Sequence, residues 1–149
     1  LAKTDGKMYN GYEPVRERVM GLATYLNELG VEICRTHNDL VPENFLRDEN
    51  NKVWLIDWEY SGMNDPMADF AALFLESNFS DDNIDYVLTE YFDGNIPANA
   101  KLKITVYQIL WDYLWAIWTV IKEAQGDDFG NYGPMRYHRA IDNLNKIGK

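Results

Sequence analysis

The stretch His37-Asn38-Asp39-Leu40-Val41-Pro42-Glu43-Asn44, followed by Val53-Trp54-Leu55-Ile56-Asp57, decides how this chain is read. A carboxylate and a carboxamide stand five positions apart on a segment that Pro42 interrupts, and a short apolar run then ends in a second carboxylate. Between them Arg47-Asp48-Glu49-Asn50-Asn51 reads as a polar turn joining two extended segments. Phe45-Leu46 and Val53 to Ile56 are therefore expected to pair as a small hairpin, with Asp57 at its end.

Residues of these types at this spacing suit phosphoryl transfer from a magnesium nucleotide. That chemistry needs an Asp to orient and deprotonate the attacking hydroxyl, and Asn and Asp oxygens to hold the metal. Asp39 fits the first role and Asn44 with Asp57 the second. The pattern H-x-D-L-x-x-x-N, with an Asp ending the next hydrophobic strand, is that of a kinase catalytic loop. Taken singly, Asp39 and Asn44 read as ordinary turn formers; their joint spacing ending in Asp57 points to chemistry.

Other chemistries find less support. Only two histidines exist, and His138 falls in a separate predicted helix, so His37 reads as a structural part of the turn. Cys34 and His37 supply at most two zinc ligands, where a structural zinc site takes four. No G-x-S-x-G elbow is present for a serine nucleophile. Asp57 and Glu59 alternate onto one strand face and raise a glycosidase-like carboxylate pair, but the dense motif around them argues against it.

The 149 residues are enough for one domain with its own core, and 46% hydrophobic and 14% aromatic residues describe a folded chain. Fourteen Lys and Arg face 24 Asp and Glu, a net charge of −10 that opposes binding to nucleic acid. That balance suits a cationic substrate and a divalent metal, although on composition alone it reads as a solubility device. The single cysteine excludes an internal disulfide. No continuous apolar run of membrane-spanning length and no signal peptide stand out, so a cytoplasmic protein without membrane insertion is the expectation.

Outward from the motif the chain reads as mostly helical. Residues 1–12 form a loop, and Pro14 opens a helix that Gly30 stops after Leu29. Val15, Val19, Leu22, Leu26 and Leu29 make its buried face, and Val31 to Arg35 is a short strand. Asp65-Pro66 opens a helix with Met67, Phe70, Ala71 and Phe74 on one side. A further helix over 81–92 is capped by Ser80 or Asp81. After a loop at 95–99, residues 100 to about 124 make the longest helix, and a glycine-rich loop, 126–134, precedes a last helix over 135–147. On that long helix Trp115 and Trp118 are three apart and share a face. Aromatic faces attract a quaternary ammonium by cation–π interaction. Core packing is the alternative use of such a stripe.

The segment Thr36 to Ala72, including Leu55-Ile56-Asp57-Trp58-Glu59-Tyr60-Ser61-Gly62-Met63-Asn64-Asp65-Pro66 and Asp69, resembles the choline/ethanolamine kinase family, particularly its bacterial Lic-type members. These belong with the aminoglycoside phosphotransferase-like enzymes of the kinase fold, and the likeness runs from about residue 13 onward. The resemblance implies an α+β, predominantly helical C-terminal kinase lobe with a small β-hairpin at the catalytic and metal site. It implies Asp39 as base, Asn44 and Asp57 as Mg²⁺ ligands, and Leu46 and Ile56 beneath the adenine of ATP. Asp69 is then the aspartate that holds the catalytic loop through its backbone. For the acceptor it implies Trp115 and Trp118, a countercharge from Glu76, and a closing tyrosine, Tyr132 or else Tyr137. The implied substrate is choline or a similar amino alcohol. Ethanolamine, an aminoglycoside, another small hydroxyl acceptor and a non-catalytic ligand-binding lobe are the alternatives.

A protein kinase fits less well: Asn38 replaces the usual arginine, Asp57 is followed by Trp-Glu, and seven residues from Asp57 to the Asp65-Pro66 helix entry leave no room for an activation segment. No glycine-rich phosphate loop precedes His37, and the chain opens with Leu1. Residues 1–149 are therefore expected to be a single domain, the C-terminal lobe of a larger enzyme. Its N-terminal nucleotide-binding lobe is expected to lie elsewhere, and the lobe alone to turn over negligibly.

Overall fold

Apolar residues at three- and four-residue spacing draw Tyr12–Leu29 into the first helix, α1, which buries Val15, Val19, Leu22 and Leu26. In the computed structural model, which describes residues 6–149, α1 begins two residues before Pro14, so that proline occupies the first turn. Gly30 ends it in the left-handed region at φ 84°, where a side chain costs energy. The remaining helices are α2 (Pro66–Ser77), α3 (Asp81–Tyr91), α4 (Ala100–Glu123) and α5 (Tyr132–Lys146). Four three-residue strands separate α1 from α2: β1 (Cys34–Thr36), β2 (Phe45–Arg47), β3 (Val53–Leu55) and β4 (Gly62–Asn64).

The expected hairpin is present. β2 and β3 pair antiparallel with Phe45 opposite Leu55, Leu46 opposite Trp54 and Arg47 opposite Val53. Asp48 organises its turn, accepting the backbone N–H of Asn50 and of Lys52 at 2.9 Å and the Trp54 indole N–H at 3.1 Å. The indole hydrogen bond, then that from Lys52, holds the Asp48 carboxyl below its ordinary range. A second ladder was not expected. β1 is confined to Cys34–Thr36, shorter than Val31 to Arg35, and pairs antiparallel with β4, Thr36 opposite Gly62. β4 has no alternating pattern of its own, and its partner lies 26 residues away in sequence.

The residues cluster into two compact units. In one, residues 29–107, α2 is capped by Asp65, whose carboxylate accepts the Met67 N–H at 2.9 Å. The same buried carboxylate pairs with Lys103 Nζ at 2.5 Å, and Lys103 also donates to the Gly30 carbonyl. Met67, Ala68, Ala71 and Phe74 of α2 and Leu88 of α3 are buried in this unit. Each large apolar side chain so buried contributes about 1.5–3 kcal/mol.

In the other unit, α1 is joined by residues 108–149. Tyr12 stacks on Tyr113 of α4, Tyr9 on Tyr137 of α5, and Arg18 donates to Asn145. Asp112 is fully buried and accepts from Arg136 and from both Nε and Nη2 of Arg139 at 2.6–3.1 Å. α5 begins at Tyr132, three residues before the expected start, and its first turn takes in Gly133 and Pro134. Among the described residues α4 is the one helix long and apolar enough to cross a membrane by length and composition. Half of its most apolar window is buried inside the structure.

Candidate active site

Asp39 follows directly on two residues whose backbone is clamped. The first turn of α2 carries Asp69, where the helix dipole favours a carboxylate. Its two oxygens accept the N–H of His37 and the N–H of Asn38, each at 2.7 Å. These are short, charge-assisted bonds. The buried His37 ring donates from Nε2 to the Ile56 carbonyl at 2.8 Å, because a carbonyl only accepts. His37 thereby joins the loop to the end of β3, and its ring packs edge-on against Trp58 at 4.7 Å.

Beyond Asp39, Pro42–Asn44 forms one 3₁₀ turn, with Pro42 at its start where no backbone donor is needed. That turn brings Asn44 back to Asp39. The buried Asn44 donates Nδ2 to the Asp39 carbonyl at 2.9 Å and to the Asp39 carboxylate at 3.3 Å. Its Oδ1 is left as the acceptor available to a cation. The Asn44 carbonyl accepts the Ile56 N–H at 3.0 Å, which registers the metal-ligand candidate Asn44 against the residue before Asp57.

Asp57 is exposed and left-handed at φ 62°, as is Asn38 at φ 61°. Left-handed non-glycine residues are costly and concentrate at functional sites. The Tyr60 phenol is pushed up first by Glu59, with Asp39 and Asp57 adding smaller effects of the same sign. No cluster of three His, Cys, Asp or Glu fit for a metal occurs among the described residues. The sequence candidates Asn44 and Asp57 offer one amide oxygen and one carboxylate, both hard donors. Magnesium accepts such a set, because it retains several waters and phosphate oxygens.

Leu46, Trp54 and Ile56 fall on one face of the hairpin by alternation, and all three are 39–50% exposed. They make an apolar shelf on the hairpin. Glu76 lies on α2 and lines an open groove of about 640 Å³ with Pro42, Glu43, Phe45, Leu73 and Val87.

The aromatic candidates belong to the other unit. Trp115 and Trp118 rings meet edge to face at 5.4 Å, and Phe129 packs on Trp118 at 5.1 Å. Lys122 Nζ stands 5.7 Å from the Trp118 ring. Tyr132 is on the first turn of α5 rather than in the preceding loop, with the Arg136 guanidinium 4.7 Å over its ring. Tyr137 is buried and stacked on Tyr9, so of the two tyrosines Tyr132 is the more accessible.

A helical lobe carrying a bent acidic loop and a hairpin that ends in a second carboxylate defines the C-terminal lobe of a kinase-like fold. The family described as choline/ethanolamine kinase matches residues 5–103, and the chain belongs to it. Protein LicA of Haemophilus influenzae is 34% identical over 117 residues, covering 74% of this chain and 43% of that protein. The crystal structure of choline kinase LicA from Streptococcus pneumoniae is similar at 48% identity and a TM-score of 0.84, covering 93% of this chain and 49% of that one. A LicA structure in complex with AMP matches at 47% identity and a TM-score of 0.85, over 94% and 48%. The chain thus spans just under half the length of these relatives.

Asn38, Tyr60 and Asn64 were not singled out as site residues from sequence. The only early signal was that Asn38 stands where protein kinases carry arginine.

Proposed function

We propose that this chain forms the catalytic-loop and acceptor-binding lobe of an ATP-dependent phosphotransferase whose acceptor is choline. The observation that carries the reading is the Asn44–Asp39 contact, held in place by the Asp69 clamp on the residues just before Asp39. Asp39 accepts the acceptor hydroxyl proton and aims its oxygen at the γ-phosphate. Asn44 Oδ1 and the Asp57 carboxylate would hold Mg²⁺. When bound, the ion neutralises charge on the phosphate oxygens. The shelf of Leu46 and Ile56 receives the flat apolar face of adenine. Family membership and the AMP complex of a relative support nucleotide use.

Each unit contributes its own residues to this reading. Glu76 supplies countercharge in one; Trp115, Trp118 and Tyr132 supply aromatic faces in the other. Aromatic faces suit a trimethylammonium group, which carries no N–H to satisfy. A primary ammonium needs hydrogen-bond acceptors, which ring faces lack. A phosphate clamp and its lysine, absent among the described residues, come from an N-terminal nucleotide-binding lobe that works with this one. Phosphorylation of choline and of ethanolamine by the two-lobed protein tests the reading. Choline is expected to show the higher kcat/KM. Trp115→Ala is expected to raise KM for choline more than for ATP. Equal turnover of both alcohols, or equal KM shifts, contradicts the acceptor assignment.

A further inference from the structure

Asn38 makes three side-chain hydrogen bonds beside the catalytic loop. Its Oδ1 accepts the Thr36 hydroxyl at 2.9 Å and the Asn64 Nδ2 at 3.1 Å. Its Nδ2 donates to the Tyr60 carbonyl at 3.0 Å, and its backbone N–H goes to Asp69 at 2.7 Å. One carboxamide therefore ties together the end of β1, the turn that follows Asp57 and the end of β4. That turn is otherwise closed by the Ser61 N–H on the Trp58 carbonyl at 3.0 Å. Approach from β4 is close, since a Cβ on Gly62 would stand 3.3 Å from Asn38 Nδ2.

Asn38 immediately precedes Asp39, and the carbonyl it holds lies three residues after Asp57. Asp39 and Asp57 make no direct bond to each other among the described residues. Before Asp57 their segments are tied by the Ile56 carbonyl, which accepts from His37 Nε2, and by the Ile56 N–H, which donates to the Asn44 carbonyl; beyond Asp57 the hydrogen-bonded tie is that of Asn38 to the Tyr60 carbonyl. We infer that Asn38 is a positioning residue that fixes Asp39 relative to Asp57, and so aligns the base with the metal ligand, through its carboxamide bridge to the Tyr60 carbonyl. The inference rests on the phosphotransferase reading above. Its left-handed φ of 61° fits: asparagine tolerates that conformation while still offering a donor and an acceptor. Arginine or lysine there offers donors only, and glycine offers neither.

The residue permits a clean separation of backbone and side chain. Asn38→Gly keeps the left-handed backbone without strain and deletes all three side-chain bonds. Asn38→Asp keeps the acceptor for Thr36 and Asn64 but sets a carboxylate oxygen against the Tyr60 carbonyl. In the two-lobed protein both variants are expected to fold. Both should lower kcat about 100-fold, the scale of a small misplacement of reacting groups. With Mg²⁺ saturating, KM for choline and ATP should stay within about threefold, as expected where the contacts to the substrates themselves are untouched. Mn²⁺, used as a paramagnetic probe of the metal site, should bind several-fold more weakly, and the Ser61 amide should exchange at least about tenfold faster.

A kcat within threefold of wild type in either folded variant overturns the inference. So does a loss of activity that tracks the unfolded fraction alone. If the wild type phosphorylates neither choline nor ethanolamine, the acceptor reading fails separately. Mn²⁺ affinity and Ser61 exchange then still decide the bridge, and unchanged values in both variants overturn it.

Discussion

Replacing Asp69 by asparagine removes one acceptor from a site built for two. The two carboxylate oxygens each take one backbone N–H at 2.7 Å, from His37 and Asn38. Hydrogen bonds to a charged group are worth about 1.5–3 kcal/mol each. In Asp69→Asn one oxygen survives as a neutral acceptor, and the new amide N–H₂ faces the second backbone N–H. Losing that bond and weakening the other predicts destabilisation of about 2–4 kcal/mol. Because His37 is buried, its N–H has no ready access to water, which favours the upper part of that range. Asp69→Ala removes both acceptors and should cost more. Urea unfolding followed by tryptophan fluorescence measures the difference, and hydrogen exchange at His37 and Asn38 locates it. Faster exchange confined to those amides is expected in the variant. A stability change below about 0.5 kcal/mol, within the range of ordinary surface substitutions, together with unaltered protection, would refute the clamp.

The remaining expectations concern the packing that carries the site. Lys103→Met strands the buried Asp65 carboxylate and should cost about 3–5 kcal/mol, read as a fall in the urea midpoint; a change under about 1 kcal/mol contradicts the pairing. Gly133→Ala sets a Cβ against the Tyr9 hydroxyl and 2.8–2.9 Å from the Thr119 side chain, an overpacking of about 1–3 kcal/mol that outweighs the helix-propensity gain of about 1 kcal/mol. Thr119→Ser in the same background should recover part of the loss, and a stabilised single variant would contradict the contact. Burial, aided by Asp65, pushes the Tyr107 phenol up to about 12. The folded state therefore holds that proton after the unfolded chain has released it near pH 10. This contribution is complete below about pH 10 and declines as pH rises to about 12. Tyr107→Phe should flatten the fall of Tm across that window, and identical slopes contradict the shift.

Most of the helical frame was legible because it rests on local rules. The 3.6-residue spacing from Val15 to Leu26 set the face of α1, and Asp65-Pro66 placed the cap and first turn of α2. The hairpin was legible because Asp48 and its neighbours form a turn of local bonds. β4 was not, because three residues without alternation become a strand only through pairing with β1. The start of α5 was misplaced because Gly133-Pro134 reads as a loop. In the structure Pro134 falls in the first turn, where its missing N–H costs nothing, and Gly133 lets Tyr9 and Thr119 approach. Within the site, the approach of Asn44 to Asp39 follows from the short Pro42 turn. The bridge made by Asn38 depends on partners 22 and 26 residues away, which no local pattern announces.

The account rests most heavily on Asp39 receiving a proton beside a metal-bound phosphate. Single-turnover transfer from ATP to choline by the two-lobed Asp39→Asn protein tests this most directly. The rate is expected to fall about 100- to 10,000-fold, the range of a lost general base, with ATP affinity and unfolding midpoint unchanged. A rate above one tenth of wild type would contradict the central claim.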